Sequence, residues 1–287
     1  MPITSKFVCL NGRFLKEEEV TFNLKNRAFR YGDGFFETMH YANGEVQLFS
    51  LHQKRMKRTM DLLKLESNIL LNPLLIHKEI IHLINANHYF KGARIRITIY
   101  RDGYGLYTPE TNQTNYLIET WALDQANYPI NKQGLTINVY SEIKKASNNN
   151  TFYKSLDSRV SVLASLNKKE HNLDENLICN TENEIIESIS SNVFFVKNNS
   201  IYTSSQISGC VNGIMREKLI EIIPHLGFEL IEDAHIKIEH ISQFDEIFLS
   251  NAIQGIQWVG AYNTKRFDNK TAKLIHKKLI TSIFNNS

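Results

Sequence analysis

Apolar and polar positions along this chain recur in short alternating runs and in longer helical ones. Val8-Cys9-Leu10-Asn11-Gly12-Arg13-Phe14 reads as strand, Asn-Gly turn, strand. A second Asn-Gly, Asn43-Gly44, joins a strand over 38–41 to one over 45–49. Helices are expected over 51–65 and 73–89. Residues 93–100 alternate, with Arg94, Arg96 and Thr98 on one face and Ile95, Ile97 and Ile99 on the other, which predicts a half-buried strand. Another strand follows over 115–121. The polar stretch 123–129, ending in proline, reads as a connection between domains. Beyond it the pattern predicts a helix over 158–169 with Val162, Leu163 and Leu166 inward, and strands over 176–180, 184–190 and 192–196. Asn198-Asn199 turns into a strand at 201–202. A helix over 213–226, a strand over 228–231, a buried strand over 246–253 and a closing amphipathic helix over 270–284 complete the chain. No βαβ unit repeats, so the reading is α+β in two domains: a smaller one over 1–122, a linker over 123–129 and a larger one over 130–287. The run Asn148-Asn149-Asn150 is the one compositionally biased segment.

Composition narrows the class. The chain has 287 residues, 42% hydrophobic and 22% charged, which fits a folded globular protein. Lys and Arg number 33 against 30 Asp and Glu, a balance of +3 that gives no case for nucleic acid. No apolar run approaches the roughly 20 residues of a membrane span. The first residues lack the apolar core of a signal peptide. Cys9, Cys179 and Cys210 are widely spaced and form no Cys-x-x-Cys, so neither a disulfide scaffold nor a metal site is expected, and a reducing cytoplasm fits.

Three stretches carry candidate chemistry. Thr151-Phe152-Tyr153-Lys154-Ser155-Leu156 sets a lysine between an aromatic and a small residue. Glu187 lies between two apolar runs and is followed five residues later by Asn192-Val193-Phe194. Ser208-Gly209-Cys210-Val211-Asn212-Gly213-Ile214-Met215-Arg216 is a small-residue turn leading into a helix. Taken singly, each has an ordinary reading: a solvated lysine, an outward acid, a glycine that starts a helix. Together they are an amine, an acid and an anion cradle in a set order. Asn26 to Thr38 adds Arg27-Ala28-Phe29-Arg30-Tyr31-Gly32-Asp33-Gly34-Phe35-Phe36-Glu37, two glycines flanking an acid among aromatics.

This combination resembles the class IV aminotransferase family, the fold-type IV pyridoxal-phosphate enzymes. That family includes 4-amino-4-deoxychorismate lyases and branched-chain and D-amino-acid aminotransferases. The likeness rests on the Arg-x-x-x-Tyr-Gly-Asp-Gly-x-Phe-Glu signature, on His52-Gln53-Lys54-Arg55-Met56, on Lys154, on Glu187 with Asn192, and on Gly213-Ile214-Met215-Arg216. It spans nearly the whole chain. It implies two α+β domains with the cofactor between them and a homodimer. Lys154 would be the Schiff-base lysine, and Glu187 would face the ring nitrogen. The amides of Ile214 and Met215 would receive the phosphate with Arg55 completing its shell, and Asn192 and Gly213 would also bind the cofactor. A guanidinium fork and a helix start both suit a phosphate dianion. His52 reads as structural. Tyr31 and Asn251-Ala252-Ile253 would face a small amino substrate.

Two motifs lean towards the lyase, which releases pyruvate and forms 4-aminobenzoate. Val211-Asn212-Gly213-Ile214-Met215-Arg216 resembles its phosphate loop, and Asn251-Ala252-Ile253 resembles its Asn-Ala-Leu. Thr38 fits a lyase position that hands a proton to departing pyruvate. Glu37 resembles the aminotransferase form of the signature. Trp258 stands where the family pattern carries proline. The alternatives are a branched-chain or D-amino-acid aminotransferase and, more remotely, a silent paralogue that only binds.

Overall fold

A computed structural model describes residues 7–67, 70, 72–147 and 152–284. Asn148, Asn149, Asn150 and Thr151, where the biased run and the start of the lysine stretch fall, lie outside the described residues. The chain divides into two units: Met1–Asn127 with Tyr153–Asp157, and Tyr128–Phe152 with Ser158–Ser287.

The first unit is built from β1 (Phe7–Leu10), β2 (Arg13–Lys16), α1 (Arg27–Tyr31), β3 (Gly34–Ala42), β4 (Glu45–Val46), α2 (Phe49–Leu63), α3 (Pro73–Ala86), β5 (Gly92–Arg101) and β6 (Thr114–Ala122). The strands form an antiparallel sheet in the order β2-β1-β6-β5-β3-β4. Asn11-Gly12 and Asn43-Gly44 turn the two hairpins with all four residues at positive φ, as type I′ turns demand. The alternation read in β5 holds. Ile95, Ile97 and Ile99 are fully buried against Phe35 and Met39 of β3 and against Met56 and Met60 of α2. Two expectations shift. The strand after Gly44 is only Glu45–Val46, because Leu48 adopts a left-handed φ of 54° and α2 starts at Phe49. The helix from Pro73 stops at Ala86, where Asn87 leaves the helix and binds β1 through Phe7 N and O. Asn72 caps that helix, its Oδ1 accepting from the amides of Leu74 and Leu75, with Pro73 at the first helical position.

The second unit contains β7 (Leu135–Lys145), α4 (Arg159–Glu170), β8 (Glu175–Asn180), β9 (Ile185–Ser188), β10 (Asn192–Lys197), β11 (Ser200–Thr203), α5 (Ile214–Ile222), β12 (Glu229–Ile231), β13 (Glu246–Asn251), β14 (Gly255–Tyr262), β15 (Lys265–Arg266) and α6 (Lys270–Phe284). Its mixed sheet runs β12-β11-β10-β13-β14-β7-β8-β9, with β15 beside β14. The centre is apolar on both faces: Val193, Phe195, Ile247, Leu249 and Val259 are buried in one cluster, and Phe194 stacks on Phe248 at 4.9 Å. Glu246 is buried and caps α6, accepting from the amides of Thr271 and Ala272 at 2.8 and 3.0 Å.

Here the structure corrects several expectations. Val162 and Leu166 of α4 are 54% and 52% exposed, and Leu163 is exposed as well. The helix meets β7 and β8 through the small Ala164, next to Tyr140 and Ile178 and with Val160 packed beside it, so Val162, Leu163 and Leu166 face outward. α5 ends at Ile222, because Pro224 cannot donate and starts a 3-10 turn. β13 ends at Asn251, whose side chain captures the next amides. β7 and β14 were not expected. Trp258, in β14, finds its reason in the fold: its indole N–H donates to Asn131 O at 2.9 Å, and its backbone N–H donates to Asn131 Oδ1 at 2.9 Å.

Candidate active site

In the first unit the lysine segment lies alongside the start of β3. Phe36 N–H donates to Lys154 O at 2.9 Å, Leu156 N–H donates to Gly34 O at 3.3 Å, and Ser155 bridges Phe35. Gly34 has to be glycine there: a Cβ would lie 2.3 Å from Ile99 O. The Lys154 amine stands 5.0 Å from the centre of the Phe36 ring, and the Arg96 guanidinium lies 3.9 Å from it. Thr38, two residues along β3, shares the face of Phe36 and pairs in register with Arg96. Lys154, Phe36, Thr38 and Arg96 therefore gather on one face of the sheet.

The opposite face of β3 carries Glu37 into the core under α2. His52 and Arg55, three residues apart on one side of that helix, both reach it. Arg55 Nε–H and Nη2–H donate to the two carboxylate oxygens at 2.8 and 2.7 Å, and His52 Nδ1 lies 2.8 Å from Oε2. Burial pushes the Glu37 carboxyl up, but the Arg55 charge and the His52 hydrogen bond outweigh it and hold the group down at about 2. His52 is pushed below its usual range, chiefly by burial. It sits in the core as a neutral ring, the structural part expected of it. Arg55 is thus bound edge-on to a carboxylate, a pairing the sequence did not reveal.

Tyr31 closes α1 and lies apart from the Glu37 cluster. Arg27, itself buried, sits 5.0 Å over the Tyr31 ring and pairs with Asp33 at 2.7 Å. Nη1 of Arg27 also donates to the carbonyls of Tyr104, Gly105 and Leu106 at 3.2, 3.2 and 2.7 Å, fixing that loop. Tyr31, Gly32, Tyr107 and Tyr153 line a cavity of about 330 Å³.

In the second unit Glu187 is buried on β9. Its Oε1 takes the Lys145 ammonium at 2.6 Å and its Oε2 accepts the Val211 amide at 2.9 Å. Asn192 begins β10 and donates through Nδ2 to Val211 O at 2.8 Å. Gly213 caps α5, and a Cβ there would fall 2.0 Å from Asn192 Oδ1. The first helical bond of α5 runs from Glu217 N to Gly213 O, so the amides of Ile214 and Met215 precede any intrahelical acceptor. The Asn251 side chain builds its own turn: Oδ1 accepts from the amides of Ile253 and Gln254, and Nδ2 donates to Ser191 Oγ at 2.9 Å. Ala252 and Ile253 ride on that turn, half-buried.

The second unit holds a helix start behind a glycine that admits no side chain, with a buried carboxylate near it, and the first holds a lysine on an aromatic ring; these are the kinds of group that a phosphorylated pyridine aldehyde requires. The profile of the family described as amino-transferase class IV matches residues 34–262. The chain belongs to the class IV aminotransferases. It is an enzyme of the pyridoxal-phosphate-dependent kind, and pyridoxal 5'-phosphate is its cofactor. Among relatives of this class IV aminotransferase, the aminodeoxychorismate lyase of Bacillus subtilis is 24% identical over 252 residues, 86% of this chain and 83% of that one. The probable branched-chain-amino-acid aminotransferase of Rickettsia typhi is 26% identical over 285 residues, 96% of each chain. The crystal structure of the Escherichia coli branched-chain amino acid aminotransferase superimposes with a TM-score of 0.86 at 20% identity, covering 99% of this chain and 96% of that one. The fold is accordingly that of the fold-type IV enzymes. Among the described residues no helix is long and apolar enough to cross a membrane.

Sequence reasoning missed Lys145 in this class IV aminotransferase. Nothing in the run Ile143-Lys144-Lys145 separates it from Lys144, which binds the Asn183 side chain instead. What distinguishes them is the side of the strand each faces.

Proposed function

We propose that this enzyme acts on 4-amino-4-deoxychorismate, releasing pyruvate and forming 4-aminobenzoate. The observation that carries the reading is Thr38, on the same face of β3 as Phe36, the ring beside the Lys154 amine. When bound, the cofactor supplies an electron sink for the carbon that bears the substrate amine. Lys154 would hold the cofactor through Nζ and would take the proton from the carbon that bears the substrate amine. Glu187 would accept the hydrogen bond of the cofactor's ring nitrogen. The amides of Ile214 and Met215 would meet the phosphate at the start of α5, Asn192 and Gly213 would keep that bend free of side chains, and Arg55, oriented by its pairing with Glu37, would add a further donor. Tyr31 and the turn of Asn251, Ala252 and Ile253 would face the substrate. The Thr38 hydroxyl, which can both donate and accept a hydrogen bond, would hand a proton to departing pyruvate. The loop through Val211 and the turn through Ala252 support this reading by their likeness to the lyase forms. The enzyme is read as a homodimer of the reducing cytoplasm, in keeping with three buried free thiols.

Transamination of a branched-chain or D-amino acid is the second reading. Glu37 favours it, since the acid at that place is the aminotransferase form of the signature. Incubation with 4-amino-4-deoxychorismate, beside L- and D-amino acids with 2-oxoglutarate, separates the two. Formation of 4-aminobenzoate and pyruvate is expected. Thr38→Val, which keeps the shape, should lower lyase turnover by about 10²–10⁴-fold, the usual worth of a positioned general acid. It should spare any transamination, which has no such leaving group. Equal loss in both reactions would make Thr38 a residue that positions the cofactor.

A further inference from the structure

Glu187 is not alone with the amide of Val211. Lys145 closes β7 and brings its ammonium to 2.6 Å from Glu187 Oε1, with the lysine side chain 22% and the glutamate side chain 8% exposed. The contact is built in rather than incidental. After Tyr140 the pairing of β7 with β8 shifts register and resumes at Lys145 opposite Asn180, and Thr181 N–H donates to Lys145 O at 3.1 Å. The loop that supplies the Val211 amide packs on the next residue: Gly209, at a φ of 99°, leaves room for no side chain, since a Cβ would lie 2.7 Å from Ala146 O. Strand end and loop therefore hold the carboxylate from two sides.

We propose that Lys145 is a positioning residue whose charge offsets that of Glu187 and so sets how firmly the carboxylate can keep a proton on the cofactor's ring nitrogen. The inference rests on the reading above that Glu187 meets that nitrogen. An isolated carboxylate would present a full negative charge to the protonated ring. The ion pair presents almost none, and the half-buried setting leaves little water to screen the difference. Other ionisable groups near the pair do not duplicate Lys145. Opposite Glu187 on β8 stands the uncharged Ile178. The Cys210 thiol, in the loop, is pushed up to about 11 by burial and then by Glu187, so it stays neutral. Arg216, at the start of α5, also acts on that thiol but spends its own Nη2 on Ser204 O and Glu232.

Removing a cation beside a group that is itself cationic when protonated favours the protonated form, so the ring should keep its proton to higher pH. The test is a pH titration of the holoenzyme carrying ¹⁵N in the cofactor ring, read by the ring-nitrogen resonance. Lys145→Gln keeps a donor for Oε1 without the charge, and should raise the midpoint by about one pH unit, the scale of one nearby charge. Lys145→Arg should leave it near the wild-type value. Lys145→Met repeats the test should the Gln variant fold poorly, with circular dichroism checking each variant. A midpoint unmoved or lowered in the uncharged variants overturns the proposal. A wild-type protein that shows no borohydride-bleachable visible band with pyridoxal phosphate would instead remove the underlying reading, and this inference with it.

Discussion

Glu37 shows how one buried side chain can tie acid stability to a site. Its carboxylate is almost wholly enclosed and holds Arg55 by two hydrogen bonds. Because its pKa is depressed to about 2 from an ordinary 4.5, it contributes stability that is present above 4.5 and is lost as pH falls towards 2. His52 adds to this in the same direction. Held below 6.5 by burial, it stays neutral in the folded protein, while the unfolded chain takes up a proton as pH drops past that value. Glu37→Gln should therefore lower stability at neutral pH by on the order of 3 kcal/mol, since it leaves a buried guanidinium without its counter-charge. The loss should shrink as pH approaches 2, where the wild-type carboxylate is itself protonated. Thermal melts of both proteins between pH 2 and 7 check this, and a gap that is constant with pH would show that charge is not what Glu37 contributes.

At the scale of elements, the start of α5 shows backbone and side chain fitted to one another. Gly213 and Asn192 exclude any side chain from the bend: a Cβ at 213 would sit 2.0 Å from the Asn192 oxygen. Gly213→Ala must turn Asn192 away and break its bond to Val211 O. We expect pyridoxal phosphate affinity to fall about tenfold or more, the effect of roughly 1.4 kcal/mol, with the circular dichroism spectrum unchanged. Titration by absorbance measures it, and unaltered affinity would mean the phosphate is held elsewhere. This element was legible in the sequence because small residues and a helix start recur in fixed order. The hairpins were legible from Asn-Gly, and β5 from its alternation. The α4 face was not, because a stripe of Val and Leu does not say that Ala164 is the residue a sheet can approach. β7 was missed although Leu135, Ile137 and Val139 alternate, since the pattern breaks at the bulge after Tyr140. The pairings Glu37–Arg55 and Lys145–Glu187 join residues 18 and 42 positions apart, which no local pattern reports.

Across the whole molecule, exposed apolar surface points to association. In the first unit Leu24, Phe29, Leu106 and Tyr107 are largely exposed, and they belong to neighbouring segments that Arg27 and Arg30 tie together. Such surface on a globular chain is usually covered, and symmetric dimers are the commonest way. Sedimentation velocity should find two chains per particle, and Leu106→Lys with Tyr107→Lys should shift the particle towards one. A fully active monomer at working concentration would refute the dimer. The lysine segment has a consequence for the order of events in synthesis. β1 through β6 leave the ribosome together, but the partner of the Phe36 amide is Lys154 O, made some thirty residues after β6 ends. At about 5–20 residues per second, the nascent sheet spends on the order of seconds with that edge of β3 unfilled. The Lys154 segment is thus the last part of its unit to be made, and it joins strands that have already been synthesised.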